Sequence, residues 1–156
     1  MRIMVLSAAI LILATTIAGA VMVKVDTPEL VASSTNIVTG KVLAVTSHYT
    51  PNHKSIYTTI DIAVQSELAG STNSSEITIR QNGGVMPDLG LAIEDMPVFS
   101  VGEDVLLFLA KNGDGIYGVA EMHQGKYTVA NDTIMENGEP VSQFMAEISS
   151  AIAEVR

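Results

Sequence analysis

The stretch IYTTIDIAVQ, residues 56–65, decides the fold. From Thr58 to Val64 every second residue is apolar or β-branched, and the residues between them include the polar Thr59 and Asp61. An alternation of this kind places one face of a strand in a core and the other in water. The body of the protein is therefore predicted to be built on β-strands.

The segments on either side of this strand have the composition of further strands. Residues 36–47 are rich in Val, Ile, Leu and Thr with Gly40 among them, which predicts a long strand bent or bulged at the glycine. A Pro-Asn turn in residues 48–55 separates it from residues 56–65. Residues 76–81 predict a third strand, and the apolar run VLLFL, residues 105–109, predicts a central strand buried on both faces.

The rest of the body is less regular. Residues 85–102 contain two prolines and two glycines, and they are too irregular to predict a strand. Residues 112–115, Asn-Gly-Asp-Gly, have the composition of a hairpin turn. Short strands or hairpin arms, separated by Gly125 and by Asn131-Asp132, are predicted over residues 116–120, 126–129 and 133–136.

Two helices are expected at the ends of this β region. Thr27 is predicted to cap a short helix that has Pro28 in its first turn and continues to about Ser34. A second, amphipathic helix follows Pro140, with apolar residues at helical spacing from Val141 to Val155. The fold class is therefore mainly β, or α+β. It is predicted to be a small closed or half-closed antiparallel barrel with a sandwich as the alternative.

The N-terminus is an apolar leader. Residues 3–23 carry no charged side chain and follow a single basic residue, Arg2, which favours the cytoplasmic side. Small side chains at Ala18 and Ala20 predict cleavage after Ala20, whereas the run is also long enough to span a bilayer. Residues 1–23 are thus predicted to be a signal peptide or an uncleaved membrane anchor. Residues 24–156 are predicted to be one extracytoplasmic domain, secreted or anchored.

Charge and cysteine content exclude several classes of function. The chain has 8 basic and 17 acidic residues, a net charge of −9, which disfavours a nucleic-acid partner. It contains no cysteine, so it has no disulfide and no thiolate nucleophile or zinc-thiolate site. No cofactor motif is present, and no cofactor is predicted. The membrane is expected as a partner only through the leader.

Several short patterns carry a family resemblance. They are IVTGKV at residues 37–42, IYTTI at residues 56–60, QNGG at residues 81–84, FSVGEDVLLFL at residues 99–109 and QGKY at residues 124–127. With these, residues 36–129 resemble a family of uncharacterised exported bacterial and archaeal domains. That family is similar to the oligonucleotide- and oligosaccharide-binding (OB) barrels of the tissue inhibitors of metalloproteinases, and some members accompany exported metalloproteases. The inhibitors use an N-terminal cysteine that this chain lacks, so the resemblance implies a fold and transfers no functional residue.

The three histidines are the candidate metal ligands. His48 and His53 flank the predicted turn after the first strand, and His123 is the third. Together with Asp61 or Glu121 they could bind a divalent metal, although their spacing matches no helical two-histidine motif. The alternative is that they are solvated loop residues.

The candidate partner-binding residues are Gln81, Asn82, Gly83 and Gly84. Successive backbone amides in such a loop can form a concave site for an anion, and bare glycine backbone lets a partner approach closely. The segment lacks the Lys and the Ser or Thr of a phosphate-binding loop. The alternative is a turn that needs positive φ.

The remaining chemistry favours a non-enzymatic protein. Asp88, Glu94 and Asp95 could bind calcium or act as paired carboxylates, or they form a solvated acidic loop. No serine-nucleophile elbow and no His-Glu-x-x-His helix is present. We expect an extracytoplasmic module that binds a protein or a glycan. The alternatives are a metal-dependent hydrolase using His48 and His53, and an accessory or inhibitor of an exported protease.

Overall fold

The computed structural model describes residues 24–155, which form two α-helices, one short 3-10 helix and nine strands. The helices are α1 (Thr27–Ser33) and α2 (Val141–Val155). The strands are β1 (Asn36–Tyr49), β2 (Ile56–Ala69), β3 (Glu76–Asn82), β4 (Gly84–Met86), β5 (Leu89–Leu91), β6 (Asp104–Lys111), β7 (Tyr117–Val119), β8 (Lys126–Ala130) and β9 (Thr133–Ile134). In this part of the chain neither helix has the length and apolar content that crossing a bilayer requires. The predicted leader lies outside the described residues.

Seven of the strands form one mixed sheet that curls into a partial ring. Their order is β1-β2-β3-β7-β6-β8-β9, and β1 also pairs with β6. The mainly β class is thereby confirmed. The expectation of an antiparallel sheet is wrong at one place. Strand β7 is antiparallel to β6, with which it forms a hairpin, but it pairs in parallel with β3 on its other side. The β3–β7 contact consists of one residue pair, Ile79 with Tyr117.

Strand β1 holds the ring together because it has two partners. It pairs with β2 along its whole length and with β6 from Asn36 to Lys41. The register with β2 shifts between Thr39 and Gly40, which confirms the predicted irregularity at the glycine. A Cβ atom at Gly40 would lie 2.6 Å from the carbonyl oxygen of Ala63. Only glycine therefore allows the strands to approach this closely.

Two hydrophobic cores lie on opposite faces of β6. Leu107 and Leu109 belong to the core inside the ring, whereas Leu106 and Phe108 pack toward the helices. All four side chains are completely buried. The prediction that VLLFL is a central strand buried on both faces is confirmed, and the Asn-Gly-Asp-Gly turn indeed connects β6 to β7.

The two helices cover the outer face of the sheet. Helix α2 buries Phe144, Ile148 and Ala151, as its apolar periodicity predicts, although Val155 at its end is exposed. The N-cap of α1 is Asp26 and not Thr27, since an Asp26 carboxylate oxygen accepts a hydrogen bond of 2.9 Å from the Glu29 amide. The Thr27 hydroxyl instead donates to Glu147, and this contact joins the two helices.

A largely buried ion pair connects Glu103, the residue before β6, to Lys126 of β8. The Glu103 carboxylate accepts hydrogen bonds from the Lys126 ammonium and the Thr128 hydroxyl, and its second oxygen accepts from the Ser100 amide. The side chains of Lys126 and Glu103 are only 10% and 13% exposed. Burial raises the pKa of Glu103, but the hydrogen bonds from Lys126 and Thr128 more than offset burial and hold that pKa below its usual value.

This ion pair predicts a specific loss of stability in acid. A carboxyl group with a lowered pKa in the folded state stabilises the fold above its unfolded-state pKa, and this contribution disappears as pH falls through the folded-state pKa. Glu103→Gln is expected to lower the free energy of unfolding by about 2 kcal/mol at pH 7, because hydrogen bonds to a charged group are lost. Urea titrations should show this difference shrinking as pH falls through the folded-state pKa of Glu103.

Asp104→Asn provides the matched control for that prediction. Asp104 pairs with Lys41 at the surface, where the two side chains are 42% and 44% exposed. An exposed pair of this kind contributes about 1 kcal/mol or less. Equal losses of stability at pH 7 in Glu103→Gln and Asp104→Asn would contradict the special role of the Glu103 pair.

Candidate functional site

Gln81, Asn82, Gly83 and Gly84 run from the end of β3 into β4. The Gln81 side-chain amide donates a hydrogen bond of 3.2 Å to the Pro97 carbonyl, and the Gly83 amide donates one of 2.8 Å to the Ile56 carbonyl. Since the Gly83 amide is already bonded within the fold, it is not available to an anion. Gly83 and Gly84 have φ of 87° and 146°, so both glycines adopt the positive φ that the alternative interpretation expects.

The backbone at Gly84 packs against the chain itself. A Cβ atom there would lie 2.4 Å from the Ser47 hydroxyl oxygen and 2.5 Å from the Thr58 hydroxyl oxygen. The Thr58 hydroxyl also donates a hydrogen bond of 2.8 Å to the Gly83 carbonyl. The hairpin of β4 and β5 is therefore fixed closely over the ends of β1 and β2. This hairpin lies in the segment that was predicted to be irregular.

The glycine segment forms one wall of an apolar cavity of about 680 Å³, which we call the mouth cavity. Its walls are Val45, Ser47 and Thr58 from β1 and β2, together with residues 81–85, 90–93 and 96–99. None of these residues carries a charge. A concave, mostly apolar site of this size with a few polar groups is typical of ligand-binding sites.

Large apolar side chains on these walls remain exposed to solvent. Val85 and Val98 are 78% and 79% exposed, and Val45 and Ile93 are exposed to a smaller extent. These four are among the ten large apolar side chains that are exposed in residues 24–155. A contiguous exposed apolar surface marks an interaction site more often than an accident of packing. Sequence reasoning missed these residues because an exposed valine in an irregular segment has no periodic signal.

Three carboxylates border the mouth cavity on the same segment of chain. Asp88, Glu94 and Asp95 are all exposed and lie between or beside the residues of its walls. Asp88 accepts a hydrogen bond from the Tyr49 hydroxyl, and this hydrogen bond raises the pKa of Tyr49. The three carboxylates thus give an uncharged cavity an acidic rim, as expected for the solvated acidic loop.

The edge of β1 beside the cavity is also available. Among the described residues, the part of β1 from residue 44 to residue 49 pairs with β2 only, because the pairing with β6 ends at Lys41. This edge has no charged residue and no proline, which are the features that normally keep other strands away. It is therefore able to accept an additional strand.

The three histidines occupy different elements. His48 at the end of β1 stacks on Tyr57 at 5.1 Å between ring centroids, and His53 packs against Tyr49 in the following turn. His123 lies in a 3-10 turn, Met122–Gly125. Residues 24–155 contain no group of three or more His, Asp or Glu side chains placed to hold a metal ion. The candidate set of His48, His53 and His123 therefore does not form one centre there.

No protein-family model matches the chain, and a search of curated protein sequences finds no significant match. The candidate site therefore rests on its own geometry: an uncharged cavity, exposed valines, an acidic rim and a free strand edge.

Proposed function

We propose that the chain is an extracytoplasmic, non-enzymatic binding module that holds an extended apolar segment of a protein partner in the mouth cavity. The observation that carries this proposal is the exposure of Val85 and Val98 on the walls of an uncharged cavity of about 680 Å³. The extracytoplasmic location rests on the apolar leader in residues 1–23.

A protein segment fits the cavity better than a glycan does. Glycans need hydrogen-bonding groups and exposed aromatic faces, and the only aromatic residue among the walls, Phe99, is buried. The free edge of β1 can pair with the backbone of an extended peptide, whose alternate side chains then enter the cavity. Main-chain pairing provides affinity in this mode of recognition, and the apolar walls provide selectivity.

The charge around the cavity indicates what flanks the apolar segment. Asp88, Glu94 and Asp95 form an acidic rim on a chain whose net charge is −9. Opposite charge across an interface speeds association and selects among partners. The partner segment is therefore expected to carry Lys or Arg beside its apolar residues.

We also propose that the partial ring is an OB-like barrel, related to the exported domains that the sequence resembles. The support is the long strand β1, which pairs with both β2 and β6, and the order in which β3, β7 and β6 follow one another around the partial ring. Barrels of this class commonly bind extended ligands on their strands and connecting loops.

Selection of random displayed peptides on the full chain tests the proposed function. Enriched peptides should combine several apolar residues with Lys or Arg. Val98→Asp should weaken their binding, measured by fluorescence anisotropy, at least about tenfold, because binding would bury an unpaired carboxylate.

Val101→Asp is the control, since Val101 is 68% exposed but lies outside the cavity walls. The two variants add the same charge only three positions apart. If both weaken binding equally, if neither does, or if the enriched peptides are acidic or purely polar, the proposed function is wrong.

A further inference from the structure

The contact between β3 and β7 is the weakest link of the ring, and a second cavity lies beside it. This seam cavity has a volume of about 510 Å³. It is lined by residues 80–82 of β3, by residues 110–112, 114 and 116–119 of the β6–β7 hairpin, and by the apolar side chains of Met96, Pro97 and Met122. Beyond the single pair of Ile79 with Tyr117, the two strands no longer pair. The seam cavity therefore lies where the ring is open.

Two buried polar atoms on its walls have no hydrogen-bond partner among the described residues. They are the side-chain oxygen Oε1 of Gln81 and the hydroxyl oxygen of Tyr117. Tyr117 is only 9% exposed, and the Gln81 amide nitrogen is bonded to Pro97 on the other side. Buried polar groups in native proteins are nearly always paired, so two orphaned atoms at one cavity require an explanation.

The same walls carry two cations that form no ion pair within residues 24–155. The Lys111 ammonium lies 4.7 Å from the Tyr117 ring centroid, and the Arg80 guanidinium lies 4.0 Å from that of Tyr57. The ion pairs in this part of the chain use Lys41 and Lys126 instead. Asp114 lines the same cavity but forms no ion pair with either cation, so the walls carry two positive charges and one negative charge in a chain with 8 basic and 17 acidic residues.

We infer that the seam cavity binds a small hydroxylated carboxylate, such as a sugar acid. The carboxylate of the ligand is held by the Lys111 ammonium, and the Tyr117 hydroxyl donates a hydrogen bond to the ligand. A ligand hydroxyl donates to Oε1 of Gln81. The apolar walls pack against the carbon skeleton. This inference does not depend on the proposed function, because the exposed valines of the mouth cavity take no part in it.

Calorimetric titration of the full chain with glucuronate, glucose and acetate tests the inference. Glucuronate should bind at least tenfold more tightly than glucose, which has the hydroxyls without the charge, and than acetate, which has the charge without the hydroxyls. Lys111→Gln should weaken glucuronate binding at least tenfold, whereas Lys54→Gln in the exposed β1–β2 turn should leave it unchanged. Absence of glucuronate binding, or equal effects of the two substitutions, would overturn the inference.

Tyr117→Phe gives a second, independent readout. Removing a hydroxyl that has no partner in the fold should leave the Tm of the ligand-free protein unchanged or raise it, while weakening glucuronate binding about tenfold. A Tm lowered by several degrees would show that the fold itself uses the hydroxyl, and the assignment of Tyr117 to a ligand would then be wrong.

Discussion

Gly40→Val is expected to lower the free energy of unfolding by about 3 kcal/mol, because the new side chain overpacks a site that has no room for it. A Cβ atom at Gly40 would lie 2.6 Å from both the Ala63 carbonyl oxygen and the Ile62 Cγ2 atom. Gly40 is also paired on both sides, with Val64 of β2 and Val105 of β6. Neither neighbouring strand can move away without breaking the pairing that curls the sheet.

Urea unfolding of the full chain measures this effect, and Gly90→Val is the matched control. Gly90 lies in β5, and no heavy atom outside its immediate neighbours is within 4 Å of where its Cβ would be. An open surface position of this kind should change stability by about 0.5 kcal/mol or less. If the two variants are equally stable, β1 does not depend on a close approach at Gly40.

Phe108→Ala is expected to cost about 4 kcal/mol, the range for truncating a buried aromatic side chain. Phe108 is completely buried on the face of β6 that meets the helices. Its ring centroid lies 6.0 Å from that of Tyr127 and 6.5 Å from that of Phe144 in α2. The substitution therefore removes one of the side chains that connect the sheet to the C-terminal helix.

Phe108→Leu is the matched control, because it changes the same residue but loses much less side-chain volume than Phe108→Ala. It keeps a large aliphatic side chain at the site, so the expected cost is about 1 kcal/mol. Urea titration of both variants checks the pair. Equal costs for alanine and leucine would mean that Phe108 does not fill the space between β6 and α2.

The strands that could be predicted are those in which the pattern of apolar residues indicates which faces are buried. The alternation at residues 56–65 and the continuous apolar run at residues 105–109 each state which faces are buried, and β2 and β6 match them. Parallel pairing of β3 with β7 could not be predicted, because a contact of one residue pair leaves no local pattern. The predicted N-cap, Thr27, lies one residue after the observed one, Asp26, because proline is compatible with either of the first two helical positions.

Of the candidate site, the sequence indicated only residues 81–84, and their role in binding a partner stays a prediction. Gln81 and Asn82 line both cavities, and Gly83 and Gly84 line the mouth cavity alone. The two glycines are explained by packing, since a Cβ at Gly83 would meet Leu91 and one at Gly84 would meet Ser47 and Thr58. The exposure of Val85 and Val98 depends on how a short hairpin folds over the end of the ring. That is a tertiary property, which the composition of residues 85–102 does not encode.

Amide hydrogen exchange on the full chain, with and without a peptide enriched by selection, tests the central claim most directly. The account predicts that the peptide slows exchange along the free edge of β1, residues 44–49, and in the cavity walls, residues 81–99, while α2 exchanges as before. Strand addition protects amides on the edge that receives the new strand. Protection centred on α2, or no protection at residues 44–49, would contradict binding at the mouth cavity.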